Sequence, residues 1–324
     1  MSRVLVTGAG GFIGRHLVQR QVESGQHVRA LDLHLDGIAA DGVEPIECDI
    51  RNRERVREAL QGCDVVFHLA SAHLSLRATE QDYWDVNVTA ARSLVEDAAQ
   101  AGVRRFVHCS SVGVHGEVRR PPANEDSECH PELIYERTKW EGEKAVREIA
   151  QASGFPLAVV RPVWVYGAGC GRTEKLMRTV RKGRFFYVGS GTTSRHCVYI
   201  SDMIDAFELA ATVPAAVGQV VIVGDGGAVT LADLMKVIAD TVGAPPPRIH
   251  LPFWAMWMAG VAAETAFGAV GKEPPLSRRS LKFFTNNTSF DISRARKVLG
   301  YEPKVSLREG MKRTYDRLRE QGRI

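Results

Sequence analysis

Residues 7–14 read Thr-Gly-Ala-Gly-Gly-Phe-Ile-Gly, and they fall between an apolar β-rich run, Arg3–Thr7, and an amphipathic stretch, Phe12–Ser24. A strand that turns into a helix through this glycine pattern builds a dinucleotide cradle. Gly8 permits the tight turn, Gly11 lets the backbone approach a pyrophosphate, and Gly14 lets helix and strand pack closely. The helix N-terminus, where Phe12 and Ile13 lie, offers free N–H groups and the positive end of its dipole to phosphate. Asp32 ends the next strand, eighteen residues after Gly14. A carboxylate there accepts both adenosine ribose hydroxyls and repels a 2′-phosphate. Leu33 and His34 follow with no arginine to reverse that sign, so the pattern favours NAD over NADP. The alternative for Asp32 is an ordinary strand-end cap.

The alternation continues downstream. His27–Leu33, Pro45–Cys48, Asp64–Leu69, Arg105–Ser110 and Leu157–Arg161 read as strands, and 52–60, 82–101 and 132–153 as helices. Nearly continuous apolar strands between helices predict an α/β fold, a doubly wound parallel Rossmann sheet. Its length of 324 residues, 44% hydrophobic, suits one large or two modest domains. After Pro162 the regularity fades into glycine-rich loops at 167–171 and 189–191 and the Pro245-Pro246-Pro247 break. Val220–Val223 reads as a strand rejoining the sheet. The expected division is an NAD-binding domain over 1–165 plus about 196–224, with a smaller C-terminal substrate-binding lobe over 166–195 and 225–324.

A net charge of +4 is too mild for a nucleic-acid partner and suits an anionic cofactor or substrate. The basic clusters Arg119-Arg120, Arg181 to Arg184 and Arg278-Arg279 read as solvated surface. Six scattered cysteines form no CxxC or ligand-spaced pair, which argues against disulfides and metal. The chain starts directly into a strand with no signal peptide, so the expected location is cytoplasmic.

Tyr135 and Lys139 stand four apart at the start of a helix pattern, on one face. A lysine ammonium beside a phenol lowers its pKa toward the range useful for moving a proton to or from a secondary alcohol or ketone. Ser111 lies at the carboxyl end of the preceding strand, where open α/β sheets bind ligands. It can hold the reacting oxygen against Tyr135. A core tyrosine beside a surface lysine is the other reading of this spacing.

Taken together these residues resemble an extended short-chain dehydrogenase/reductase, of the NAD-dependent epimerase/dehydratase superfamily. The resemblance runs through the glycine loop, Asp32, Asp49-Ile50, His68-Leu69-Ala70, Asn87-Val88, Ser110 to Gly116, Tyr135 with Lys139, Arg161-Pro162, Tyr199 to Asp202 and Leu299 to Pro303. It implies NAD as cofactor, with Asp49 and Ile50 flanking the adenine. Leu69, Ala70 and Ser71 would line the cofactor, Lys139 would also bond the nicotinamide ribose, and Pro162 and Val163 would lie beside the nicotinamide. Asn87 would support the active-site helix. Strand-end capping for Asp49 and an ordinary helix position for Asn87 stay open. Similar proteins form homodimers through the two helices 82–101 and 132–153, whose apolar Val88, Leu94, Ala145 and Ile149 face either a partner or the core.

Three departures bear on the branch. Members that dehydrate nucleotide sugars carry Asp-Glu after the catalytic Ser or Thr; here Val112-Gly113 follows Ser111. Arg195 matches one phosphate-clamping arginine of the sugar epimerases, whereas Thr285 to Phe290 replaces the other. Residues 251–270, with Phe253, Trp254, Met256, Trp257 and Met258, carry Glu264 as their one charge. With Glu273 to Leu276 and Phe290-Asp291-Ile292 they resemble the 3β-hydroxysteroid/sterol dehydrogenase branch. This stretch reads as a lid over an apolar substrate, a helix at a membrane interface, or a span weakened by Pro252, Gly260, Glu264 and Gly268. The expected activity is oxidation or reduction of a secondary alcohol or ketone on a fairly apolar small molecule. The alternative is 4-epimerisation of a nucleotide sugar on tightly bound NAD.

Overall fold

The computed structural model describes residues 2–38, 40–73, 78–268 and 278–324. Chain order begins with β1 (Arg3–Thr7), α1 (Phe12–Glu23), β2 (His27–Asp32), β3 (Val43–Glu47), α2 (Arg53–Leu60) and β4 (Val65–His68). A helical run follows as α3 (Glu80–Trp84), a π-turn (Asp85–Ala90) and α4 (Ala91–Gln100). Next come β5 (Arg105–Cys109), α5 (Ile134–Ser153) and β6 (Leu157–Pro162). The remaining elements are β7 (Trp164–Tyr166), α6 (Gly171–Arg181), β8 (Tyr187–Val188), β9 (Ser194–Arg195), β10 (Cys197–Tyr199), α7 (Ile200–Thr212), β11 (Val220–Val223), β12 (Val229–Thr230), α8 (Leu231–Val242), β13 (His250–Leu251), α9 (Phe253–Gly268), α10 (Arg278–Thr285), α11 (Ser293–Leu299) and α12 (Leu307–Glu320).

Among the described residues, seven strands form one sheet in the order β11-β6-β5-β4-β1-β2-β3, every pair parallel. The inner strands are largely apolar because helices cover both faces, whereas the edge strand β3 leaves Glu44 and Glu47 exposed. Val4, Val6, Ala30, Phe67, Val107 and Val160 meet α1 and α7 on one side. Leu5, Leu31, Val66, Phe106, Leu157 and Val159 meet α2, α4 and α5 on the other. Strand order reverses between β1 and β4, which opens the ligand crevice at their carboxyl ends. Val220–Val223 joins the sheet edge beside β6.

The helix expected over 82–101 is one continuous run with a wide turn inside it. It starts earlier, because Thr79 and Asp82 cap each other's backbone reciprocally. Leu94 corrects one expectation: it is buried in the core with Val95 and Ala98, so it is unavailable to a partner. The helix is sandwiched between α2 and α5, so more than one of its sides is apolar. Val88, Ala145 and Ile149 are half-buried, and Ile149 also packs on this core.

Beyond the sheet, short strand pairs link distant segments: β10 with β7, β12 with β9, and β13 with β8. Their core gathers Tyr166, Met177, Phe185, Leu234, Ile238 and Met311. Phe290, Ile292, Leu299 and Tyr301 pack instead into the core of the large sheet, where the Tyr301 hydroxyl donates to the Gly224 carbonyl at 3.0 Å. Residues 273–276 lie outside the described residues. No described helix is long and apolar enough to cross a membrane.

Candidate active site

The glycine loop is built so tightly that side chains are excluded. A Cβ on Gly8, which holds φ of +73°, would meet the Ala70 nitrogen at 2.6 Å, and one on Gly14 would meet the Gly8 carbonyl at 2.1 Å. Gly11 occupies the N-cap of α1 and supplies no side-chain acceptor, which leaves the first-turn N–H groups of Phe12, Ile13 and Gly14 for a ligand. Asp32 closes the other side of the loop, its Oδ2 accepting from Gly10 N at 2.8 Å and Oδ1 from Leu33 N at 2.7 Å. These donors and this carboxylate fit a dinucleotide: phosphate on the helix terminus, ribose at Asp32.

Around that cradle, Leu69 and Ala70 continue β4, and the Ala70 N–H donates to Thr7 Oγ1 at 3.3 Å. Ser71 Oγ and Ala72 N both donate to Asn87 Oδ1 at 2.9 Å. The Asn87 amide in turn donates to Ala72 O and, at 3.0 Å, to Thr138 Oγ1. Asn87 thus sits in the π-turn and clips the loop after β4 to the helix that carries Tyr135 and Lys139. Ile50 is buried, and Asp49 is held by Arg51 at 2.7 Å, which keeps its carboxyl below the ordinary range. Pro162 ends β6 and Val163 follows it, both buried, with Val163 N donating to the Val223 carbonyl of β11 at 3.0 Å.

Ser111, Tyr135 and Lys139 converge at the carboxyl end of β5. Ser111 Oγ accepts from Gly113 N at 3.0 Å, inside a short 3₁₀ turn, Val112–His115. Lys139 is buried and its Nζ donates to the Cys109 carbonyl at 2.6 Å. Tyr135 lies one turn earlier, its ring edge-on to His73 with centroids 4.5 Å apart. Burial raises the phenol pKa, with opposition from a Ser111 hydrogen bond and the Arg172 charge. Burial also lowers the Lys139 pKa. Loss of water thus outweighs the Ser111 hydrogen bond and the Arg172 charge at this phenol.

A buried network backs the helix. Arg161 makes a two-pronged pair with Glu143, at 2.9 and 2.7 Å, and Ser110 Oγ donates to Glu143 at 2.7 Å. Beneath the site, His68 and His108 lie with ring centroids 5.3 Å apart, and burial holds both well below the ordinary histidine pKa.

On β9, beyond the large sheet, Arg195 is 4% exposed, and its Nη1 donates to the Asn286 carbonyl at 2.7 Å. Its Nη2 has no hydrogen-bond partner among the described residues. Burial, with help from the Arg172 charge, brings this guanidinium down to about 10. Arg195 stacks on Phe283, Phe283 meets Trp164 edge-on, and Arg172 stacks on Trp164. Arg172 and His73 were not legible as site residues: each is an isolated polar residue in a loop or first turn, with no motif around it.

Three comparisons place this geometry among known proteins. The "NAD dependent epimerase/dehydratase family" profile matches residues 4–224. Sterol demethylase protein B of Methylococcus capsulatus is 32% identical, with 99% of each chain covered. The 3beta-hydroxysteroid-dehydrogenase/decarboxylase isoform 1 of Arabidopsis thaliana is 29% identical, covering 96% of this chain and 78% of that one. Among solved structures, MoeE5 in complex with UDP-glucuronic acid and NAD superposes with a TM-score of 0.79 at 27% identity, covering 99% of this chain and 100% of that one. The chain is an NAD-dependent enzyme and belongs to the NAD-dependent epimerase/dehydratase family, within the extended short-chain dehydrogenases/reductases.

Proposed function

We propose that this enzyme interconverts a secondary alcohol and a ketone on a fairly apolar substrate of the 3β-hydroxysteroid or sterol class. The observation that carries the reading is the meeting of Ser111, Tyr135 and Lys139 at the carboxyl end of β5, next to the dinucleotide cradle. NAD, when bound, supplies the hydride acceptor or donor. Ser111 and Tyr135 hold the substrate oxygen, and Tyr135 exchanges its phenolic proton with it. The buried phenol rests in its protonated form, the one that gives a proton to a ketone oxygen. Lys139 stabilises the phenolate after transfer and reaches toward the nicotinamide ribose, beside Pro162 and Val163. Gly8, Gly11, Phe12, Ile13 and Gly14 bind the pyrophosphate, Asp32 the adenosine ribose, and Asp49 and Ile50 flank the adenine. Leu69, Ala70, Ser71 and Asn87 shape the middle of the cofactor groove. We divide the chain as read above, with the lobe of 166–195 and 225–324 enclosing the substrate.

The apolar substrate class is supported by the largely apolar α9 and the steroid-acting relatives. Val112-Gly113 after Ser111 leaves no acid–base pair for dehydration. A second reading, 4-epimerisation of a nucleotide sugar, is favoured by one observation: the unpaired Arg195 Nη2, with Arg172 nearby, can take a phosphate. Incubation with NAD and a panel of 3β-hydroxysterols and nucleotide sugars distinguishes them. Accumulating NADH with a sterol ketone supports the first reading. An inverted sugar without net NADH replaces it with the second.

A further inference from the structure

From Phe253 to Ala263 the helix α9 carries no charged residue on any side, yet one of its sides faces water. Along that side Phe253, Trp254, Trp257, Met258, Ala259 and Ala262 follow one another at helical spacing. Trp254 is 72% exposed and Met258 62%, and Ile249, just before the helix, is 58% exposed. A helical stretch with no polar face, like the first three turns of α9, is at home in a core or in lipid, not in water. Tryptophan, with an apolar ring and one N–H, is the side chain most suited to the boundary between the two.

Charge identifies what covers this surface. Strand β13 leads straight into α9 and pairs in parallel with β8, His250 opposite Tyr187. The segments feeding that ribbon carry exposed cations: Arg248 before β13, and Arg181, Lys182 and Arg184 before β8. The groove on α6 beside them adds Lys175, Arg178 and Arg323, with Glu174 as its acid. Because the two strands run parallel, Arg184 and Arg248 enter the ribbon at one end, and α9 leaves it two strand residues further on, so a basic patch and an indole-rich helix adjoin one short ribbon. A second copy of this chain would bring its own cations against them, whereas an anionic bilayer satisfies both parts at once.

We propose that α9 and the basic end of α6 form a docking surface for an anionic phospholipid membrane. The side chains of Trp254, Met258 and Phe253 enter the headgroup boundary, and Arg181, Lys182, Arg184 and Arg248 contact phosphates. This is attachment to one leaflet: 16 residues of helix fall short of a span.

Flotation of the full chain with vesicles tests it, comparing phosphatidylcholine alone with an equal mixture of phosphatidylcholine and phosphatidylglycerol. The protein is expected to float with the anionic vesicles and to be released by high salt. Its tryptophan emission should shift to the blue on binding. The double variant Trp254→Glu/Met258→Glu should bind about tenfold more weakly or worse, with its circular dichroism unchanged, because both sites are exposed. Arg181→Glu/Lys182→Glu should lose at least about fivefold per cation. Absence of wild-type protein from the anionic vesicles overturns the proposal, as does undiminished binding by the Trp254→Glu/Met258→Glu variant. A self-association seen by sedimentation that this variant abolishes, without vesicle binding, assigns the surface to a second copy instead.

Discussion

Tyr135 and Lys139 lose water when their helix docks on the sheet, and each is pushed toward its neutral form. For the phenol this means the proton is present at neutral pH, held between Ser111 and the space where a substrate oxygen would lie. Tyr135→Phe removes that proton and leaves ring packing against His73 in place. NAD affinity should stay within about twofold, while turnover falls by roughly two orders of magnitude or more. Single-turnover kinetics with a titration of NAD measures both; a variant keeping more than about a tenth of turnover would falsify the role given to Tyr135. Asp32 offers a separate residue-scale test. Replacing it by alanine removes the acceptor for Gly10 and Leu33 as well as for ribose. NAD binding should weaken by about 1–3 kcal/mol, and NADP should gain as the like charge disappears. Calorimetric titration with both dinucleotides decides it, and wild-type preference for NADP contradicts the assignment.

The elements that hold these residues meet at a glycine. Gly142 on α5 passes so close to the π-turn that a Cβ there would lie 2.1 Å from the Asn87 carbonyl. Backbone cannot move aside as a flexible side chain does, so Gly142→Ala should push α5 away and cost about 1–3 kcal/mol. Because Asn87 bonds Thr138 on the same helix, turnover should drop with stability; denaturant unfolding and steady-state kinetics show both. Unchanged stability would mean the two elements are farther apart than described. This contact also marks where sequence reading stops. The parallel strands were legible because burial on both faces demands unbroken apolar runs, and the glycine loop because only one backbone path suits it. The π-turn leaves no periodic signature, and Leu94 sits on a helix with apolar residues on several sides, so its direction was ambiguous. The two-residue strands at β8, β9, β12 and β13 pair across dozens of residues, with no local pattern to announce them. Arg195 was legible from its neighbours, whereas Arg172 joins it only through the stacked Trp164 and Phe283.

At the scale of the whole molecule, assembly and acid sensitivity follow from which surfaces and which polar groups are covered. With Leu94 committed to the core, a homodimer through the helical run of α3, the π-turn and α4 together with α5 would rest on Val88, Ala145 and the 36%-exposed Trp84. We expect a dimer by sedimentation velocity at micromolar concentration, and Val88→Arg should weaken it by at least about 2 kcal/mol while leaving unfolding unchanged. A monomeric wild type removes that proposal. Acid sensitivity has a different origin, in imidazoles buried without charge. His68 bonds Thr7 Oγ1 at 2.8 Å, and His115 Nε2 accepts from Arg161 at 3.1 Å; both rings are nearly inaccessible. Burial brings His68 down to about 3 and His115 to about 4. In the unfolded chain each titrates near the ordinary value of about 6.5. As pH falls below that value the unfolded chain takes up protons that the native protein refuses, so stability declines until pH nears the native pKa values. Between pH 7.5 and 5 each ring should cost on the order of 2 kcal/mol. Glutamine at 115 keeps an acceptor for Arg161 and abolishes the titration, so His115→Gln should flatten the pH dependence by about one such share. Urea unfolding at the two pH values measures this, and equal wild-type stability at both would show that neither imidazole is held neutral by the fold.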